Sequence, residues 1–96
     1  MTNFFVTYTL PDAAAREGYI RDVLELGVID KSRAEKGCIR YDYFYPVGSD
    51  TQLFLLEQWE SREHQAAHCQ TDHFKALGKI KEKYSAETEI VAQDAE

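Results

Sequence analysis

The sequence predicts an α+β fold of ferredoxin-like type: a four-stranded antiparallel sheet with helices on one face, in the chain order βαββαβ. Three patterns carry the prediction. Apolar side chains alternate at two-residue steps in "NFFVTYTL", "CIRYDYFYP" and "QLFLLEQWE". Between the first and second of these runs, and again after the third, apolar positions recur at three- and four-residue steps. Only "VGSDT" separates the second and third runs, and so short a link makes them an antiparallel hairpin.

In the first strand Phe4, Val6, Tyr8 and Leu10 share one side, with Asn3, Phe5, Thr7 and Thr9 on the other. Pro11 and Asp12 end it and open a helix, because proline is tolerated in a first turn and aspartate favours the positive helix start. That helix is expected from about Asp12 to about Ala34, with Ala15, Tyr19, Val23, Leu26 and Ile29 or Asp30 as the stripe facing the sheet. Gly18 and Gly27 cost about 1 kcal/mol each relative to alanine, so a kink or a frayed turn is expected near Gly27. Gly37 in "EKG" stops the helix, and the β-rich run that follows ends at Pro46. On it Tyr41, Tyr43 and Tyr45 fall on one face together with Ile39.

The hairpin partner places Leu53, Leu55, Glu57 and Trp59 opposite Gln52, Phe54, Leu56, Gln58 and Glu60. Both faces carry large apolar groups, so something is expected to cover the side away from the helices. Ser61 caps a short helix over Arg62 to Cys69. "QTDHF" redirects the chain, and Thr71 or Asp72 caps a second segment whose stripe is Phe74, Leu77, Ile80 and Tyr84. "AETEIVA" is the last strand, and the polar "QDAE" is expected to fray.

Ninety-six residues fit a single domain over 1–96, and so small a chain gains from pairing with a second copy. The content of 44% hydrophobic and 12% aromatic residues is that of a folded protein, and a net charge of −6 with scattered Lys and Arg argues against nucleic acid as a partner. No run of about 18 apolar residues and no basic-then-apolar leader is present, so the expectation is a cytoplasmic protein that does not enter a membrane. Cys38 and Cys69 are expected as free thiols.

"EQWESREHQAAHCQTDHF" holds all three histidines and the sole tryptophan. His64 and His68 have the i, i+4 spacing of helical zinc ligands, yet no glutamate stands between them as in H-E-x-x-H. Cys69 points about a hundred degrees away from His68, and His73 lies past the redirected turn, so no metal site is expected. The same geometry removes a Cys69–His68 dyad. His64 sits among Arg62, Glu63 and Gln65 on a solvated face, whereas His68, behind Ala66 and Ala67, can reach between helix and sheet. His73 can cap or line the same space. Glu57, among Leu53, Leu55 and Trp59, must find a partner or reach water, and it can orient an imidazole or an arginine such as Arg40. The tyrosine face suits a flat aromatic ligand or an interface; plain packing is the alternative for Trp59, His68 and each tyrosine. No phosphate loop, G-x-S-x-G or paired C-x-x-C occurs.

Together "EKGCIRYDY", "EQWES" and "AAHCQTDHF" resemble the antibiotic biosynthesis monooxygenase domain family, and most of all its YgiN-like quinol monooxygenase branch. The pattern is E-x-W, a histidine nine residues on, and a second histidine five later before an aromatic. The resemblance implies a dimeric α/β barrel, a homodimer through the open sheet face, with a pocket in each subunit between sheet and helices. It implies a small quinol or polyphenol substrate that is deprotonated and oxidised by dioxygen with no cofactor and no metal. Such chemistry asks for a base near neutrality in a dry aromatic pocket. On the resemblance His68 is the base, Glu57 or Arg40 orients or balances charge, and Trp59, Tyr41 and Tyr43 form walls. His73 closes the edge and Asn3 aims a donor at substrate oxygen. The haem-degrading relatives use an asparagine, a tryptophan and a histidine where this chain has Thr7 or Tyr8, His68 and Gly78, which disfavours haem chemistry. Isomerisation of a small carbonyl compound by the same base, and ligand binding without turnover, stay open.

Overall fold

The computed structural model describes residues 1–95. Strand β1 (Thr2–Thr9) is followed by helices α1 (Ala13–Glu25) and α2 (Val28–Arg33), the hairpin β2 (Cys38–Phe44) and β3 (Gln52–Trp59), helices α3 (Arg62–His68) and α4 (Asp72–Lys83), and strand β4 (Glu87–Asp94). The sheet order is β2-β3-β1-β4, and every neighbouring pair is antiparallel. This is the ferredoxin-like arrangement expected from the sequence, with each βαβ half crossing over a neighbouring strand.

The two-residue period sorts the sheet. Phe4, Val6 and Tyr8 of β1, Leu53 and Leu55 of β3 and Tyr41 of β2 face the helices and are buried with Tyr19, Val23, Val28, Leu77 and Ile80. Each such side chain contributes about 1.5–3 kcal/mol by leaving water, which is why this face fixes the strand register. The opposite face holds Phe5, Phe54 and Leu56 only partly covered, with Phe44 exposed. Phe5 and Phe54 stack at 6.4 Å between centroids, and Phe44 and Phe54 lie 6.2 Å apart.

Caps form where the side chains allow. Asp12 accepts from the Ala15 backbone N–H at 2.7 Å, Ser61 from that of His64 at 3.3 Å and Thr71 from that of Phe74 at 3.2 Å. The single helix expected from Asp12 to Ala34 is two. Gly27 takes φ +68°, a left-handed conformation that breaks the ladder, and the offset buries Val28 while turning Leu26 outward to 47% exposure. Leu26 therefore leaves the expected stripe.

Two more expectations shift. A bulge between Cys38 and Arg40 sets two residues of β2 against one of β3, so Ile39 is exposed rather than ranked with Tyr41 and Tyr43. The tail does not fray at 93 and 94. Gln93 and Asp94 belong to β4, where Thr2 Oγ1 donates to Asp94 at 2.9 Å and Arg62 Nε to the same carboxylate at 3.0 Å. Strand β4 is exposed along both faces, so it is held chiefly by its ladder to β1. Among the described residues no helix is long and apolar enough to cross a membrane.

Candidate active site

Four elements converge at the end of the sheet where β3 finishes. Strand β3 delivers Glu57 and Trp59 on its helix-facing side. Helix α3 ends at His68, a tight turn through Thr71 reverses the chain, and α4 begins with Asp72, His73 and Phe74. Thr71 Oγ1 pins that turn by donating to the His68 carbonyl at 2.7 Å while accepting from the Phe74 N–H. Glu35 arrives from the other side, two residues past the end of α2. A carboxylate there meets the negative end of the helix dipole and needs a cationic or donor partner.

It has two. His68 Nδ1 lies 2.5 Å from Glu35 Oε2, and His73 Nε2 lies 2.8 Å from the same oxygen. The His68 ring is 1% exposed and boxed by Trp59 at 4.9 Å, Phe74 at 5.3 Å, Tyr41 at 5.6 Å and His73 at 5.6 Å between centroids. With Nδ1–H donating to the carboxylate, the Nε2 lone pair is the free one, the tautomer a general base requires. Ligand atoms of Glu35, His68 and His73 all lie within 4.8 Å of one another, so this trio is also the set that could hold a metal ion.

Glu57 is nearby but bonded elsewhere, for its Oε1 accepts from the Trp59 indole N–H at 3.0 Å. Burial pushes its carboxyl above the ordinary range, and the indole bond with the nearby His68 and Lys81 pulls it part of the way back. Lys81 reaches over Phe74 and Tyr8 from two turns along α4, and burial lowers its ammonium against the opposing pull of Glu57. Behind His68 runs a chain of phenols: Tyr41 and Tyr43 at 6.0 Å, Tyr43 and Tyr8 at 6.2 Å, Tyr8 and Tyr19 at 5.4 Å. Burial raises all four. The buried hydroxyls of Tyr19, Tyr41 and Tyr43 have no hydrogen-bond partner among the described residues.

A cavity of about 470 Å³ opens at the β2 edge, between Ile20, Leu24 and Ile29 on one side and Tyr43 and Leu53 on the other, with Arg33 and Asp42 at its rim. Tyr41 and Tyr43 stand between it and His68. The sequence profile of the family described as Antibiotic biosynthesis monooxygenase matches residues 8–79. The chain belongs to the antibiotic biosynthesis monooxygenase family. "Putative monooxygenase YcnE" of Bacillus subtilis (strain 168) is 34% identical over 77 residues, which cover 79% of each chain. A conserved protein of unknown function from Bacteroides thetaiotaomicron VPI-5482 superposes with a TM-score of 0.86 at 26% identity, covering 98% of this chain and 96% of that one. The fold is shared as well with the "Putative antibiotic biosynthesis monooxygenase" of Nitrosomonas europaea, at a TM-score of 0.87, 19% identity and coverage of 99% and 98%.

Of the residues singled out in this family member's sequence, the structure gathers His68, His73, Trp59, Glu57 and Tyr41 in one place, with Tyr43 one ring behind. Arg40 and Asn3 are not there. Arg40, ion-paired to Asp42, lines the cavity at the β2 edge instead, and Asn3 lies on the sheet face away from the helices, across from Gln58. Cys38 and Cys69 are free thiols, and burial first, then Glu35 and Glu57, pushes Cys38 up to about 11. Neither position favours a thiolate, since burial also raises Cys69. Sequence reasoning missed Glu35, Lys81, Tyr8 and Tyr19. Glu35 carried one readable signal, an acidic side chain just past a helix end where acids are disfavoured.

Proposed function

We propose that this protein is a cofactor-independent monooxygenase that oxidises a small aromatic quinol or polyphenol with dioxygen, using His68 as general base. The observation that supports it best is the buried His68 ring, oriented through Nδ1 by Glu35 and walled by Trp59, Tyr41 and Phe74. His68 Nε2 takes the phenolic proton, and the anion, held out of water, gives electrons to dioxygen. For a hydroquinone the reaction balances without an outside reductant: substrate and O2 give hydroxyquinone and water. The substrate supplies all four electrons; one oxygen atom enters the new C–O bond and the other leaves as water. Glu35 stabilises the imidazolium formed on proton transfer, and Trp59, Tyr41 and Phe74 are the walls.

A homodimer through the open sheet face belongs to the same reading. Phe5, Phe44, Phe54 and Leu56 form an apolar surface there which a second copy would remove from water. Light scattering at micromolar concentration is expected to give twice the chain mass, and a monomer mass would overturn it. A second reading, ligand binding without turnover, has its own support, because the 470 Å³ cavity is set apart from His68 by two tyrosine rings.

Oxygen uptake by chelator-treated protein, measured with a panel of quinols and corrected for autoxidation, separates the two. Uptake above the blank that falls at least about 100-fold in a folded His68→Gln variant, with label from oxygen-18 gas in the product, supports the oxygenase. No uptake across the panel, or uptake unchanged in the variant, overturns it.

A further inference from the structure

We propose that Glu35, His68 and His73 form a binding site for one divalent first-row transition ion of the zinc type. The donors are two imidazole nitrogens and one carboxylate oxygen, a set that zinc accepts with water in the fourth position. They already converge. Nδ1 of His68 and Nε2 of His73 stand 2.5 Å and 2.8 Å from one Glu35 oxygen, and all three donor atoms fall within 4.8 Å. A tetrahedral ion with bonds of about 2.0–2.1 Å spaces its ligands by about 3.3 Å. The oxygen therefore has to withdraw by less than one ångström from each nitrogen, and the two nitrogens, which lie within 4.8 Å of each other, have to close by up to about 1.5 Å, movements that rotation of the Glu35 and His73 side chains can share.

The cradle is built rather than incidental. Thr71 fixes the turn that brings His73 back toward His68, and the Trp59, Tyr41 and Phe74 rings hold the His68 imidazole. His68 is sealed from solvent, whereas the side chains of Glu35 and His73 keep 16% and 13% exposure, which leaves an entry and a place for a water ligand on that side. Charge is suitable: the ion meets Glu35 directly and the buried Glu57 carboxyl beyond it, with Lys81 as the opposing charge. Two imidazoles select against magnesium and calcium, which take oxygen ligands.

The ion would take His68 at Nδ1, the nitrogen whose proton now points at Glu35. The ring proton must then sit on Nε2, and the lone pair at Nε2 is lost. Metal occupancy thus converts a base into a donor. This inhibitory consequence rests on His68 being the base, as read above; the binding itself does not.

The test is a titration of tag-free, chelator-treated protein with cobalt(II), followed by the visible absorption of tetrahedral cobalt and its displacement by zinc. Saturation at one equivalent per chain is expected. His73→Ala and Glu35→Gln, checked for folding by circular dichroism, are each expected to weaken binding beyond the 10–100-fold that loss of an outer-shell partner costs. His64→Ala, outside the trio, is expected to keep it. Absence of a one-equivalent band in the parent protein overturns the proposal, as does a band that survives in both His73→Ala and Glu35→Gln. In the oxygen assay one equivalent of zinc is expected to suppress uptake; because binding is read by absorption, a protein with no quinol activity still reports on the metal site.

Discussion

Gly37→Ala tests how the segment carrying Glu35 is locked to the sheet. Two separate costs apply at this position. Gly37 has φ +84°, where an L side chain is strained by about 1–2 kcal/mol. A Cβ there would also stand 2.3 Å from two ring atoms of His64, and that ring is tied to the Ser61 cap by a 2.7 Å contact through Nδ1. Forcing the two apart adds about 1–3 kcal/mol of overpacking. The sum is about 2–5 kcal/mol, and at about 4–8 °C per kcal/mol for a domain of this size the melting temperature should fall by about 10 °C or more. In a His64→Gly background, which also removes the His64 Cβ that would stand 2.7 Å from the new methyl, the overpacking disappears and only the backbone cost of about 1–2 kcal/mol should remain. The assay is a four-protein urea-melt cycle. Equal losses in the two backgrounds, agreeing within about 0.5 kcal/mol, would show that His64 does not occupy the space, and a loss below about 1 kcal/mol in both would refute the strained backbone as well. The Gly37 carbonyl accepts from Glu60 N–H at 2.8 Å, so the variant should also loosen Glu35 from the strand end that carries Trp59.

Glu57→Gln should alter the pH dependence of stability. Burial raises this carboxyl, so above its ordinary value of 4.5 the unfolded chain ionises first, the folded state holds the extra proton, and stability falls as pH rises until the folded group ionises too. Glutamine keeps an oxygen for the Trp59 N–H but cannot ionise; the variant should match the parent at acid pH and exceed it at neutral pH, by about 1.4 kcal/mol per unit of the raise. Urea melts at several pH values decide it, and an advantage confined to acid pH would reverse the sign. Thr71→Val removes the acceptor that caps α4 and the donor that holds the His68 carbonyl. A loss of about 0.5–2 kcal/mol is expected in thermal melts, together with weaker cobalt binding because His73 is no longer held against Glu35; stability lost with cobalt affinity intact would detach the turn from the site.

The fold was legible because the sheet is sorted by a period that survives in the sequence. Phe4, Val6 and Tyr8 against Phe5, Thr7 and Thr9 name their faces without any tertiary information, and the five-residue link at 47 to 51 fixes the hairpin. What escaped were offsets of a single residue. Gly27 was flagged as a weak point, but only the left-handed turn itself determines that Val28 goes in and Leu26 out. The bulge at Cys38 to Arg40 is of the same kind, since nothing in "CIR" announces an extra residue. The tail departs from the expected fraying because a polar sequence can still be a strand when Thr2 and Arg62 hold Asp94 from outside it.

The site divides along the same line. His68, His73 and Trp59 lie within fifteen residues of one another, and their convergence needed only the guess that α3 and α4 fold back at Thr71. Helical geometry turns Cys69 away from His68, whereas His73, expected to line the same space but set aside as a co-ligand because it lies past the turn, is brought by that turn to within 2.8 Å of the Glu35 oxygen that His68 shares. Glu35 is 33 residues from His68, and no local pattern links them. Its position after α2 is unfavourable by itself, and so is a buried imidazole without an orienting group; each residue resolves the defect of the other. On the two proposals made above, that reciprocity would give one carboxylate two tasks, to aim His68 as a base and to complete a three-ligand set with His73. The two uses are exclusive because both require the same His68 Nδ1, so the proton and the metal compete for one nitrogen.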